Sequence, residues 1–146
     1  DSKIRGSFIG MDIHHRLPHF ARSVLEGITF SLKDSQEIMA QATNEGLAKI
    51  VSVGGGAKNK EWLQMQANIF NTAITTLTTE QGPGMGAAML AAVGCNWYPN
   101  VASCAADFVT YASEYLPDPT VVATYEEVYR RYRMIYPATK PICDAY

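Results

Sequence analysis

The amino-acid sequence predicts an α/β fold, because strand and helix patterns alternate along it and two glycine-rich turns each join a strand to a helix. The first turn, residues 54–56, consists of three glycines that follow the apolar run 49–53. The second turn, residues 82–86, opens a helical pattern after another candidate strand. Turns without side chains let backbone N–H groups approach an anion closely, and the helix dipole favours negative charge there. Two such turns in one small chain indicate a nucleotide site.

The first part of the chain predicts a bent extended segment, a long helix and a strand. Residues 5–12 are expected to be extended, with bends at Gly6 and Gly10. Pro18 suits the first turn of a helix. The apolar residues of that helix recur at intervals of three and four: Leu17, Phe20, Ala21, Val24, Leu25, Ile28 and Leu32. Residues 49–53 are apolar enough to lie inside a parallel sheet.

The middle of the chain predicts a capped helix, a strand and a second, apolar helix. Asn59 can cap the helix that follows the first glycine turn, and Glu61 suits the positive end of its dipole. Threonine and isoleucine predict a strand over residues 73–77. The helix predicted over residues 84–93 is almost wholly Ala, Met, Leu and Gly, so we expect it to pack tightly on the sheet.

The last third of the chain predicts two helices around a short extended segment. A short helix is expected over residues 101–109, and an edge strand or a loop over residues 111–116. Pro119 opens the last helix, and Pro137 is expected to stop it. Because strands alternate with helices, we expect crossover helices to join neighbouring strands.

The composition disfavours several classes of protein. The chain has 146 residues, of which 47% are hydrophobic and 18% charged, and its net charge is −2, as is typical of one globular domain. We expect no nucleic-acid or membrane partner, because this charge is not basic and no apolar run reaches the roughly 18 residues of a spanning helix. The three cysteines, at positions 95, 104 and 143, form no CxxC pair. They predict neither a disulfide framework nor a zinc site, and a cytoplasmic location is expected.

The triple glycine has two interpretations. It is either a tight connection between strand and helix or a contact for phosphate or nucleoside, and the contact is favoured. It is not a P-loop, because no GxxxxGK[ST] occurs in the sequence. Residues 82–86 are spaced GxGxG rather than GxGxxG, which disfavours a Rossmann oxidoreductase.

Three histidines cluster near the start of the first helix. His15 and His19 have the i, i+4 spacing of metal ligands, but we expect no acidic or cysteine partner near them. With His14 they are interpreted as surface or packing residues, and no metal site is predicted. No catalytic residue is predicted either, because the sequence shows no nucleophile arrangement and no paired carboxylates at a strand end.

Two groups of charged residues are interpreted as structural. Arg130, Arg131 and Arg133 lie beside glutamates and a tyrosine stripe, which is typical of a solvated helix face. Arg22 and Glu26 have i, i+4 spacing and are interpreted as a packing or interdomain pair.

Three blocks of the sequence resemble the FGGY carbohydrate kinases. Residues 6–11 with residues 19–26 resemble the second signature of that family, and residues 53–59, followed by Trp62 and Gln64, resemble its adenosine-binding turn. Residues 81–88 resemble the helix opening that comes next. The resemblance runs through about residue 93 and is strongest to the xylulokinase branch, with the gluconokinase and glycerol kinase branches as alternatives.

The resemblance implies a ribonuclease H-like fold of the actin and hexokinase type. Residues 1–146 would form the later part of the second, nucleotide-binding domain. The sugar-binding domain and the catalytic base would lie upstream, in agreement with a chain that starts at Asp1. The parent enzyme would use ATP and Mg²⁺ to convert D-xylulose to D-xylulose 5-phosphate.

The resemblance also implies roles for individual residues. Gly55 and Gly56 would lie against the ribose and phosphates of ATP, with Ala57 beside them. Asn59 and Lys60 would contact adenosine, although glycerol kinases carry Asn where Lys60 stands. The glycines of residues 82–86 would serve close packing behind the site.

Two further hypotheses stay open. The chain by itself could be a catalytically inactive nucleotide-binding or structural module that self-associates as a homodimer. It could also be an actin-like ATPase that acts on a protein partner, since fold does not fix function.

Overall fold

The computed structural model describes residues 1–43, 46–79 and 82–146, and its architecture confirms the predicted α/β class. A 3-10 turn, Gly55–Lys58, separates the first strand from the second helix. The helices and strands of the described part are, in chain order, α1 (Leu17–Thr43), β1 (Lys49–Ser52), α2 (Lys60–Phe70), β2 (Ala73–Leu77), α3 (Gly82–Gly94), α4 (Val101–Phe108), β3 (Tyr111–Tyr115) and α5 (Pro119–Asp144). Among these helices, none combines the length and the apolar character needed to cross a bilayer.

The three strands form one sheet in the order β1-β2-β3. β1 and β2 are parallel, with Lys49 opposite Ala73, and α2 is the crossover helix between them, as predicted. β3 runs antiparallel to β2, with Ile74 opposite Tyr115. The edge strand that the sequence left as one alternative for residues 111–116 is therefore confirmed.

The prediction that the first strand lies inside the sheet is wrong for the described residues. There β1 is an edge strand that pairs only with β2. Two of the valines that suggested burial are exposed, Val51 by 38% and Val53 by 53%. Both faces and both edges of an internal strand need neighbours, and within the described part β1 has a neighbour on one edge only.

The chain divides into two compact units, and each has its own buried residues. The first unit comprises Asp1–Gly46, Asn68–Phe70 and Asp118–Tyr146, and the second comprises Leu47–Ala67 and Asn71–Pro117. The core of the second unit includes Leu63 and Ile74, which are 1% and 0% exposed.

Aromatic rings join α1 to α5 in the first unit. Phe30 of α1 is buried, and its ring centroid lies 5.7 Å from that of Tyr129 and 5.3 Å from that of Tyr132. Such ring pairs add to the apolar area that they bury. The predicted tyrosine stripe of the last helix therefore faces the first helix.

The Arg22–Glu26 pair belongs to this same helix contact. The Arg22 Nε donates to Glu26 at 2.8 Å and its Nη2 donates to the Tyr125 hydroxyl at 2.9 Å, while that hydroxyl donates to Glu26 at 3.0 Å. Burial raises the pKa of Tyr125. The interpretation as a packing pair is confirmed, because the two side chains attach α1 to α5.

The last helix does not stop at Pro137 as predicted. α5 continues through Pro137 and Pro141 to Asp144. Each proline removes one backbone donor from the helix, and this end of α5 also forms contacts of its own. The Tyr136 hydroxyl donates to Asp1 at 2.9 Å, and Cys143 is buried.

Candidate functional site

The first glycine turn begins where β1 ends. Gly54 has φ 83° and ψ −168°, a conformation that is essentially restricted to glycine. The backbone then forms the 3-10 turn, in which the Ala57 N–H donates to the Gly54 carbonyl at 3.1 Å and the Asn59 N–H to the Gly56 carbonyl at 3.2 Å. The glycine at position 54 therefore sets the direction of the turn.

Helix α2 starts directly after this turn and confirms Asn59 as its cap. The Asn59 side-chain oxygen accepts from the Trp62 N–H at 3.0 Å, which satisfies one of the free donors of the first helical turn. Glu61 lies in that first turn. Because the side-chain oxygen of Asn59 is used by the helix, its amide NH₂ is the group left to contact a ligand.

The structure brings the five predicted site residues together at one end of the second unit. Gly55, Asn59 and Lys60 are exposed, and Gly56 and Ala57 are half-buried. All five follow the carboxyl end of a strand that is parallel to its neighbour. This is the edge at which open α/β sheets bind their ligands.

Gly55 and Gly56 lack a side chain for different reasons. A Cβ built on Gly55 would meet no described atom within 4 Å, whereas one built on Gly56 would lie 2.8 Å from Cζ3 of the Trp62 ring. A side chain at position 56 would therefore have to displace the Trp62 ring. The space beside Gly55 is open within the described structure.

Trp62, which belongs to the block that resembles the adenosine-binding turn, contacts the glycine turn in the structure. Its indole ring lies against the backbone of Gly56, although six positions separate the two in the chain. The available signal was a large aromatic residue in the first turn of the helix that follows three glycines. The resemblance included Trp62 without predicting its contact with Gly56.

The second glycine turn follows β2 at the same edge of the sheet. Gln81, which opens the third block, lies outside the described residues, and α3 begins at Gly82 with φ 51°. Close packing was predicted here, yet a Cβ built on Gly82, Gly84 or Gly86 would meet no described atom within 4 Å. That prediction is wrong for the described part of the chain.

The histidines near α1 form local turn contacts. The His15 Nδ1 accepts from the Asp12 N–H and the His19 Nδ1 from the Arg16 N–H, both at 2.9 Å. The expected lack of an acidic partner is wrong, because Asp12 Oδ1 lies 3.3 Å from His15 Nδ1. Backbone donors thus occupy one nitrogen of each ring.

The surroundings of the glycine turn combine open space, an exposed lysine and a helix N-terminus. The open space beside Gly55, the exposed Lys60 and the start of α2 can accept an anionic ligand. No group of three or more His, Cys, Asp or Glu side chains in the described ranges could hold a metal ion. The expected Mg²⁺ therefore has no cluster of protein ligands in this part of the chain.

The arginines of α5 are exposed, which confirms the solvated face. Arg131 pairs with Glu127, and Arg133 lies 3.5 Å from Glu37 of α1. These residues lie in the first unit.

Comparisons with known proteins agree on one family. The model of the FGGY family of carbohydrate kinases, C-terminal domain, matches residues 1–95. The xylulose kinase of Lactococcus lactis subsp. lactis is 49% identical over 97% of this chain and 28% of its own length. That of Bacillus subtilis is 49% identical over 99% of this chain and 29% of its own length.

Solved structures of sugar kinases share the fold. The gluconate kinase of Lactobacillus acidophilus has a TM-score of 0.86 and 32% identity over 95% of this chain and 28% of its own. A ligand-bound xylulose kinase of the same organism has a TM-score of 0.83 and 31% identity over 96% of this chain and 28% of its own. The fold is thus that of the actin and hexokinase type of ATPase, as expected. The chain spans 28% and 29% of the length of the two curated relatives described above.

Proposed function

The chain belongs to the FGGY family of carbohydrate kinases, and on that premise we propose that it supplies the ATP-binding part of a xylulose kinase. The complete enzyme would transfer the terminal phosphoryl group of ATP to D-xylulose, giving D-xylulose 5-phosphate and ADP. Two xylulose kinases with 49% identity over nearly the whole chain support this choice of sugar. The observation that carries the ATP site is the open space beside Gly55 at the carboxyl end of β1.

The proposal gives each residue of the turn a task. Gly55 and Gly56 lie against the ribose and phosphates of ATP, and Ala57 lies beside them. The Asn59 amide NH₂ and the exposed Lys60 contact adenosine. A helix N-terminus and a lysine both favour the negative charge of the nucleotide.

Catalysis by this part of the enzyme consists of holding ATP in place. Phosphoryl transfer depends mainly on positioning and on the neutralisation of charge. Mg²⁺ bound with ATP supplies part of that neutralisation. We place the sugar pocket and the catalytic base outside residues 1–146, in the rest of the enzyme. No residue of this chain is therefore proposed to be catalytic.

We also place the enzyme in the cytoplasm. Cys95, Cys104 and Cys143 are all free thiols, which is the usual state in a reducing compartment. Nucleic acid and membrane are not among the proposed partners. A homodimer is the assembly that we propose to test by light scattering.

A gluconate kinase is the second candidate. It is favoured by the structural similarity to the gluconate kinase of Lactobacillus acidophilus. A panel of D-xylulose, gluconate and glycerol, assayed with the complete kinase, separates these candidates. Turnover of gluconate in preference to D-xylulose would replace the first proposal with the second.

The ATP site is tested by Gly55→Ala in the complete kinase that contains this segment. The added methyl group meets no described protein atom within 4 Å, so it should enter the space of the nucleotide and raise the KM for ATP about tenfold, roughly 1.4 kcal/mol. The KM for D-xylulose should stay unchanged. Gly27→Ala is the matched control, because its methyl group also meets no atom within 4 Å and it lies in α1. An unchanged KM for ATP in Gly55→Ala would contradict the proposed site.

A further inference from the structure

We propose that Trp62 is a positioning residue that holds the nucleotide turn in its binding shape before ATP arrives. The proposal rests on the proposed function and adds to it a residue that does not itself need to touch the nucleotide. The indole ring would act on ATP through Gly56.

The ring occupies the place where a side chain of residue 56 would stand. A Cβ built on Gly56 would lie 2.8 Å from Cζ3, 3.3 Å from Cε3 and 3.5 Å from Cη2 of Trp62. Three consecutive atoms of the six-membered ring of Trp62 therefore lie close to the Cβ position of residue 56. The flat indole forms a wall against which the backbone of Gly56 packs.

Three contacts close a loop around this wall. The Gly56 carbonyl accepts from the Asn59 N–H at 3.2 Å, and the Asn59 side chain accepts from the Trp62 N–H at 3.0 Å. The Trp62 ring then returns to Gly56. Each member of the loop fixes the next, so the turn and the start of α2 behave as one piece.

A turn that is already ordered binds its ligand more tightly, because less conformational freedom is lost on binding. Loss of the ring should therefore weaken ATP binding even where the ring does not contact ATP. The turnover number should change less, since no reacting atom has moved. The KM for D-xylulose should not change when the ring is removed.

The experiment is a double-mutant cycle in the complete kinase, with ATP and D-xylulose as the probes. Trp62→Ala should raise the KM for ATP roughly fivefold to tenfold, and Gly56→Ala should raise it to a similar extent by pushing the ring away. In the double variant the new methyl group occupies the vacated space. Its KM for ATP should therefore be clearly lower than the product of the two single effects predicts.

Trp62→Phe is the conservative variant. It keeps an aromatic wall and should restore most of the ATP affinity that Trp62→Ala loses. If Trp62→Ala does not fold, Trp62→Phe and Gly56→Ala still test whether Trp62 positions the turn. A normal KM for ATP in Gly56→Ala would then overturn the positioning role.

Other outcomes separate this inference from the proposed function. A Trp62→Ala enzyme that melts at a lower temperature but keeps its KM for ATP would show a purely structural role and overturn the inference. The inference would also be overturned if the increase in the KM for ATP of the double variant equalled the product of the two single increases. The proposed function fails separately, if the unmodified kinase forms no ADP with any of the sugars or if Gly55→Ala leaves the KM for ATP unchanged.

Discussion

Replacement of Lys33 by methionine should destabilise the first unit, because this lysine is buried with three partners. Lys33 is only 5% exposed. Its Nζ donates to the Ile69 carbonyl at 2.8 Å, pairs with Glu126 Oε1 at 2.5 Å and lies 4.9 Å from the centre of the Tyr129 ring. Methionine fills a similar volume, so Lys33→Met removes the charge and the donor with little change in packing.

The magnitude follows from what each partner loses. The Ile69 carbonyl loses a charged donor in a buried place, which costs about 1–3 kcal/mol. The cation–π contact adds about 0.5–1 kcal/mol. Glu126 is 46% exposed, so water can solvate it and its lost ion pair adds little. We expect the free energy of unfolding to fall by about 2–3 kcal/mol.

Urea denaturation followed by far-UV circular dichroism measures this difference on the chain itself. Lys60→Met is the control, because Lys60 is exposed and a substitution there should change the free energy of unfolding by no more than about 0.5 kcal/mol. The denaturant slope should be the same in both variants. A Lys33→Met chain as stable as the control would refute the view that these contacts stabilise the unit.

Two further predictions concern α5. Hydrogen bonds from the Thr120 side chain and backbone N–H hold the pKa of Asp118 below its usual value of 3.8, so its contribution to stability is present above about pH 4 and is lost as the pH falls through the lowered pKa. Asp118 is the N-cap of α5, because its side chain accepts from the Thr120 N–H. Asp118→Asn should remove that part of the acid sensitivity in urea titrations at low pH, and an unaltered pH profile would contradict a stabilising role of the cap. Pro137→Ala restores a backbone donor inside α5 and should raise the free energy of unfolding by about 1 kcal/mol or more; a lower melting temperature would show that the proline is needed there.

Elements with local signals were predicted well from the sequence. The bounds of β2 and the cap by Asn59 depend on residues next to one another in the chain. Such predictions hold in the folded protein because the residues that carry the pattern also form the strand or the cap. The glycine turn was found for the same reason, since Gly54 needs a backbone conformation that other residues avoid.

Features that depend on distant residues were missed. The continuation of α5 past Pro137 involves contacts with Asp1, at the other end of the chain. The wall formed by Trp62 is a through-space contact that no periodicity encodes. The ligand was the only reason predicted for glycine at position 56, and the Trp62 ring is a second reason, inside the chain.

Within the described residues one edge of β1 has no partner strand, and this has a consequence for handling the chain by itself. Its outward N–H and C=O groups form a template on which another strand can add, and Lys49 is the one charged residue in Lys49–Ser52 that discourages this. Concentrated preparations should therefore associate edge to edge into β-rich oligomers. A lysine introduced in place of the exposed Val51 would keep them dispersed.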